Sequence, residues 1–250
     1  MRPDDDWRKS KDHLVDRLTA IENSVRRLNV EIRDALWAIF FVLIFIAIGT
    51  CLPAHAEWVE VPATKPQQGG GVVADVRSHL PDQSIMAGQD TVGLGHYGSH
   101  GMSAYLRNKH GGTGRVNAVY LGDGLGLVLP EPKGFALSDV IQRAGTQLPA
   151  GEAVRWWQNE PLYVLDEQSA YLCGTTAGVE GGADVTRVRG SFRFARQMHR
   201  LSRAVLSLAV ERGYRDSDAR DLRIYVDVTG GALDELERRA PARYRLSEVK

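Results

Sequence analysis

The sequence predicts an α+β, mainly helical domain with a β-hairpin, preceded by an N-terminal coiled coil and one transmembrane helix. Three observations carry this. Apolar residues recur at helical spacing over the long stretch Val188 to Arg212. Two short β-like runs, Val116 to Leu121 and Gly126 to Leu129, flank the turn residues Gly122-Asp123-Gly124. The uncharged run Ala35 to Cys51 is dense in Ile, Leu and Phe.

Residues 1–34 read as a cytoplasmic amphipathic helix. Leu14, Leu18, Ile21, Val25, Leu28 and Ile32 alternate steps of four and three, the seam of a coiled coil, so a homo-oligomer through residues 14–32 is expected. A single amphipathic helix lying on a membrane is the other reading of this run. Residues 35–52 read as an anchor, because at ~1.5 Å per residue the run nearly crosses a bilayer core. Arg26, Arg27 and Arg33 precede it and the first basic residue after it is Lys65, which places the N-terminus inside and the remainder outside the membrane. Ala54-His55-Ala56 has the A-x-A form of a signal-peptidase site, so a cleaved signal competes with a retained anchor; the long N-terminal segment favours the anchor. Ile48 to Cys51 fits a lipoprotein box poorly. Residues 53–72, with Pro62, Pro66 and Gly69-Gly70-Gly71, read as a flexible linker. The folded domain is then 73–250.

Within it, Leu137 to Ala144 is a short helix capped by Ser138 or Asp139, and Pro161 begins another. Leu162 onward reads as a buried helix ending at Gly174, and Gly178 to Gly182 as a loop. The long helix that follows carries Phe194, Met198, Leu201, Val205 and Leu208 as its apolar stripe. Leu222 to Val228 alternates like a strand, with a short helix as the other reading, and Leu233 to Arg239 is helical.

Composition excludes more than it selects. Lys plus Arg number 31 and Asp plus Glu number 31, so no global field recruits nucleic acid. The two cysteines, Cys51 and Cys173, form no C-x-x-C, and Cys173 reads as a small buried residue. Gly93-Leu94-Gly95-His96-Tyr97-Gly98 matches G-x-G-x-x-G, yet no β-run precedes it and no acid stands about twenty residues on, so a dinucleotide site is rejected. Ser99, Ser103 and Ser169 lack a G-x-S-x-G setting and read as helix residues. Arg193, Arg196, Arg200 and Arg203 read as a solvated helix face, and Trp156-Trp157 as core.

The chemistry-bearing stretch is His96-Tyr97-Gly98-Ser99-His100. On a helix, two histidines four apart share one face and can reach one metal ion. A third ligand is required, and Glu167 is the best-placed carboxylate, in an apolar segment where an unpaired charge costs several kcal/mol. Asp166 beside it can orient a ligating histidine. A glycine-rich loop with two incidental histidines is the competing reading, since Gly93, Gly95, Gly98 and Gly101 each cost about 1 kcal/mol in a helix relative to alanine. His110 reads as part of a solvated turn.

His96, His100, Gly101, Asp166, Glu167, Ala170 and Tyr171 together resemble the pattern of exported bacterial zincins of the gluzincin type: an H-E-x-T-H-G helix, a β-hairpin, then a D-E-x-x-A-Y helix. The resemblance covers about a third of the chain. It implies zinc held by His96, His100 and Glu167, with Asp166 behind them, and a peptide or cell-wall ligand. Tyr97 stands where that family has its catalytic glutamate. A phenol is a poor proton acceptor at neutral pH, so the catalytic residue is unknown and the expected protein is a degenerate or atypical metallohydrolase. Its expected place is a bacterial inner membrane, single pass, with the main domain periplasmic. The alternative is a metal-free, membrane-anchored interaction module.

Overall fold

A computed structural model describes residues 56–110, 116–132, 134–146, 148, 157–212 and 214–246. The coiled coil, the anchor with its positive-inside bias, the lipoprotein box, Cys51 and Trp156 lie outside them. Among the described residues no helix is long and apolar enough to cross a membrane.

The described domain is mainly helical with one small antiparallel sheet. In chain order its elements are β1 (Glu57–Glu60), α1 (Val72–His79), α2 (Thr91–His110), β2 (Val116–Gly122), β3 (Leu125–Pro130), α3 (Leu137–Ala144), α4 (Tyr163–Glu180), α5 (Val185–Glu211) and α6 (Asp216–Arg239). Short 3₁₀ turns stand at Ser84–Met86 and Ala242–Tyr244.

The expected hairpin is present: β2 and β3 pair antiparallel, Val119 opposite Leu127, with an irregularity between Tyr120 and Gly122. The turn needs the left-handed backbone that Asp123 and Gly124 supply at φ 50 and 72. The sheet has a third strand. Glu57–Glu60 pairs with β3, Glu57 opposite Val128 and Glu60 opposite Leu125. This corrects the linker expected at 53–72. Ala56, Val59 and Val61 are buried, so the fold begins well before Val73. Four residues are too few for period-two patterning to register against the prolines and glycines that follow.

Period-two alternation along β3 lets both faces of the sheet be covered. Leu127 and Leu129 point into one cluster with Val119, Leu165, Leu201, Val205 and Tyr225. Val128 points the other way, toward Val59, Val76, Met102 and Leu106. Helices α4, α5 and α6 thus cover one face, and α1 and α2 the other. A third cluster, Val92, Val188, Phe192, Leu233 and Tyr244, closes the far end of the helical layer.

Three further expectations change. Helix α4 does not stop at Gly174 but runs to Glu180, taking Gly178 from the expected loop. A Cβ at Gly174 would lie 2.9 Å from the Val92 carbonyl oxygen, so this glycine serves helix–helix approach rather than termination. Leu222 to Val228 lies inside α6, and its buried residues Leu222, Tyr225, Val226 and Thr229 follow helical spacing. On α5 the buried phenylalanine is Phe192; Phe194 is half-buried and faces a cavity. The α3 cap is seen as Asp139 Oδ2 accepting from the Ala136 N–H at 2.8 Å.

Candidate metal centre

The glycine-rich stretch is helix, not loop. Gly95 and Gly98 are required by packing and Gly101 is tightly packed, which offsets their intrinsic cost. A Cβ at Gly95 would sit 2.5 Å from the Cys173 carbonyl oxygen and 2.9 Å from the Ala177 Cβ, both on α4. A Cβ at Gly98 would sit 2.5 Å from the Val76 Cγ1 on α1, and one at Gly101 within 3.1 Å of Leu80. Gly95, against Cys173 and Ala177, and Gly174, against Val92 and His96, let α2 and α4 approach closely. That approach brings His96 and His100 to Glu167.

One potential ligand atom from each of His96, His100 and Glu167 lies within 4.8 Å of the other two. Zinc bonds of about 2.0–2.1 Å in a tetrahedron separate ligand atoms by roughly 3.4 Å. His100 Nε2 and Glu167 Oε1 are already 3.5 Å apart. The remaining excess is within reach of a small side-chain rotation.

The tautomers suit a metal. His100 Nδ1 lies 2.9 Å from Asp166 Oδ2, so Nδ1–H donates to that carboxylate and Nε2 is turned toward Glu167. His96 has one ring nitrogen hydrogen-bonded to the backbone of Ala170, which leaves the other for a ligand. Asp166 is 1% exposed, and its Oδ1 is buried with no hydrogen-bond partner among the described residues. A cation close by would lower the cost of burying that carboxylate.

Charge at the site is poised. Burial disfavours the His96 cation and the neighbouring His100 adds repulsion; together they hold its pKa down to about 4. Burial also acts against the His100 cation, but Asp166 and Glu167 outweigh it and raise the pKa above the ordinary imidazole value. Burial is likewise the main influence on Glu167. His100 partly opposes it and Asp166 reinforces it, and the carboxyl is pushed up to about 7. A metal ion would displace the proton from His100 and favour the Glu167 carboxylate.

Aromatic rings frame the centre. Tyr163 stacks over His100 at 6.2 Å and 17°, and Tyr171 lies 4.6 Å from the His96 ring. Trp157 packs on Tyr163 at 5.0 Å. Tyr163, Glu167 and Tyr171 fall at i, i+4 and i+8 on α4, so the spacing that marks one helical face is the signal in the sequence for Tyr163, which is not among the residues expected at the site. Tyr97 is 40% exposed, its ring 5.2 Å from that of His96.

The other residues weighed from the sequence take structural places. Ser99, Ser103 and Ser169 are all buried, Ser103 Oγ accepting from the Tyr120 N–H and Ser169 Oγ paired with the Tyr225 hydroxyl. Cys173 is free and buried, and burial pushes its thiol up to about 12. His110 ends α2 instead of standing in a turn, with Nδ1 3.8 Å from Glu57 Oε2. Within the arginine stripe Arg193, Arg200 and Arg203 are exposed, while Arg196 pairs with Asp234 and Glu237.

Fold and site together define a mainly helical α+β domain with a buried histidine–histidine–carboxylate cluster that could hold a metal ion. No protein-family model, no curated protein and no solved structure matches the chain.

Proposed function

We propose that this domain binds a divalent transition metal, zinc by the nature of its ligands, through His96, His100 and Glu167, with Asp166 orienting His100. The observation that carries this reading is that one ligand atom from each of the three residues lies within 4.8 Å of the other two, on two helices whose close approach Gly95 and Gly174 permit. Mixed imidazole and carboxylate donors suit zinc better than calcium or magnesium, which take oxygen. A bound metal would supply Lewis-acid polarisation of a carbonyl or of water. The protein's own residues position that metal and exclude bulk water from one side of it.

Tyr97 stands where a zincin-like site would carry its catalytic glutamate, so we read the domain as a degenerate or atypical zincin-like metallohydrolase that binds or acts on peptide or cell-wall material. We place it outside a bacterial inner membrane, tethered by residues 35–52 and oligomerised through residues 14–32. Fractionation tests the anchor: recovery only as a soluble form starting near Glu57 would overturn it.

Zinc content of the purified chain, compared between wild type and His100→Ala, tests the centre. About one equivalent in the wild type and little in the variant is expected. Equal, negligible content in both would reject the reading.

A second reading rests on the ion pairing itself. A protonated His100 between Asp166 and Glu167 offsets part of their buried charge without a metal, so the same residues could serve a metal-free, membrane-anchored interaction module. Negligible zinc with an intact fold would favour it.

A further inference from the structure

Beside His96, helices α2, α4 and α5 enclose an open cavity of about 250 Å³. Its walls are flat and aromatic. Tyr171 and Phe194 stack with ring centroids 5.1 Å apart at 21°, and His96 lies on Tyr171 at 4.6 Å. Gly190 also lines the cavity, and a Cβ added there would meet no atom within 4 Å. Ser191 is already committed: its Oγ is 2.7 Å from Thr175 Oγ1. At the rim, Arg187 Nε pairs with Asp90 Oδ2 at 2.5 Å, both side chains about half exposed.

These features select one class of ligand. A free anion would have to compete with Asp90 for Arg187. A sugar needs buried donors and acceptors, and the Ser191 hydroxyl is already paired. A ring gains from edge or offset contact with the aromatic side chains that line the cavity, Tyr171, Phe194 and Tyr97, which a saturated chain does not. Size agrees, since an apolar cavity of about 150 Å³ accommodates benzene and drug-sized sites begin near 300 Å³. The space here suits one ring with one or two methylenes. At the rim both Asp90 oxygens already accept, Oδ2 from Arg187 and Oδ1 from the Gly93 N–H at 2.8 Å, whereas the guanidinium N–H groups that Arg187 does not give to Asp90 can donate to a peptide carbonyl.

We propose that this cavity is a binding pocket for an aromatic side chain of a peptide ligand, seated against Tyr171 and Phe194 with its backbone at the Arg187–Asp90 rim. The inference deepens the metal-centre reading, on which it rests for the meaning of the ligand's position beside His96. The pocket walls themselves need no metal.

The test is a fluorine NMR titration of N-acetyl-4-fluorophenylalanine amide against the whole chain, with N-acetylalanine amide followed by proton NMR as control. Wild type, Gly190→Leu, which fills the space, and Arg203→Ala, an exposed position on α5 outside the walls, are compared. Saturable binding is expected in wild type and Arg203→Ala, about tenfold or more weaker in Gly190→Leu, and undetectable for the alanine probe. Phe194→Ala serves as a second variant that removes a wall, with the same expected loss, and circular dichroism checks each fold. No saturable binding to wild type, unchanged binding in both pocket variants, or equal binding of the alanine probe would overturn the pocket. Aromatic binding without zinc would sink the metal reading alone; zinc without aromatic binding would sink the pocket alone.

Discussion

Gly95 offers the sharpest test of how the site is built. In an exposed helix interior, replacing glycine with alanine stabilises by about 1 kcal/mol. At Gly95 the new methyl would stand 2.5 Å from the Cys173 carbonyl oxygen and 2.8 Å from its carbon, both backbone atoms of α4. Ordinary contact begins near 3.4 Å, so the helices must part by about 0.9 Å or the backbone must bend. Overpacking of this kind costs about 1–3 kcal/mol, and here it acts against rigid backbone rather than a side chain with rotamers. A net loss of about 2 kcal/mol is expected for Gly95→Ala, which for a domain of this size lowers the melting temperature by roughly 4–8 °C. Gly190→Ala is the matched control. It is also helical, its new methyl meets nothing within 4 Å, and it should raise the melting temperature slightly. Thermal denaturation by circular dichroism reads both. If Gly95→Ala is as stable as wild type, close approach of α2 and α4 does not govern the placement of the histidines, and the account of the centre fails with it.

Asp166→Asn keeps all three metal ligands but weakens the acceptor that orients His100; zinc affinity by chelator competition should fall about 10–100-fold, and an unchanged affinity would show that Asp166 has no orienting role. Glu167→Gln should stabilise the metal-free protein at pH 8 while leaving it nearly unchanged at pH 4.5. The folded-state pKa of Glu167, about 7, lies above its ordinary 4.5, so ionisation opposes folding as pH rises through that window. Urea unfolding in chelator checks this, and a less stable variant at pH 8 would refute it. His96 acts in the opposite sense: with its folded pKa held near 4 against an ordinary 6.5, stability is lost as pH falls between those values, and His96→Gln should remove that part of the acid lability. Tyr120→Phe deletes a hydroxyl that donates to the buried Asp75 carboxylate at 2.7 Å and accepts from the Gly124 N–H at 3.1 Å. A loss of about 2–3 kcal/mol in chemical denaturation is expected, because the Asp75 carboxylate and the Gly124 N–H each lose that partner.

Much of this domain was legible in one dimension because its physics is local. The hairpin is written in the Gly122-Asp123-Gly124 turn and the alternation around it, and α5 in its apolar repeat. The pairing of His96 with His100 follows from a four-residue step, and Glu167 and Asp166 stood out as carboxylates in an apolar segment. Other features depend on partners far along the chain. Strand β1 exists because β3 offers it an edge, and nothing within Glu57–Glu60 announces that. Leu222 to Val228 alternates, yet the core it meets is reached on one helical face, so burial rather than pattern chose the helix.

The glycines of α2 show the division most clearly. Residue by residue they argue for a loop, since helix propensity is an intrinsic, short-range quantity. Their justification lies in Cys173 and Ala177 on α4 and Val76 on α1, atoms that sequence separation hides. Order along the chain was enough to nominate two imidazoles and a carboxylate. Bringing them to one point needed a close helix crossing, because only long-range packing can turn the absence of side chains into an attraction between backbones.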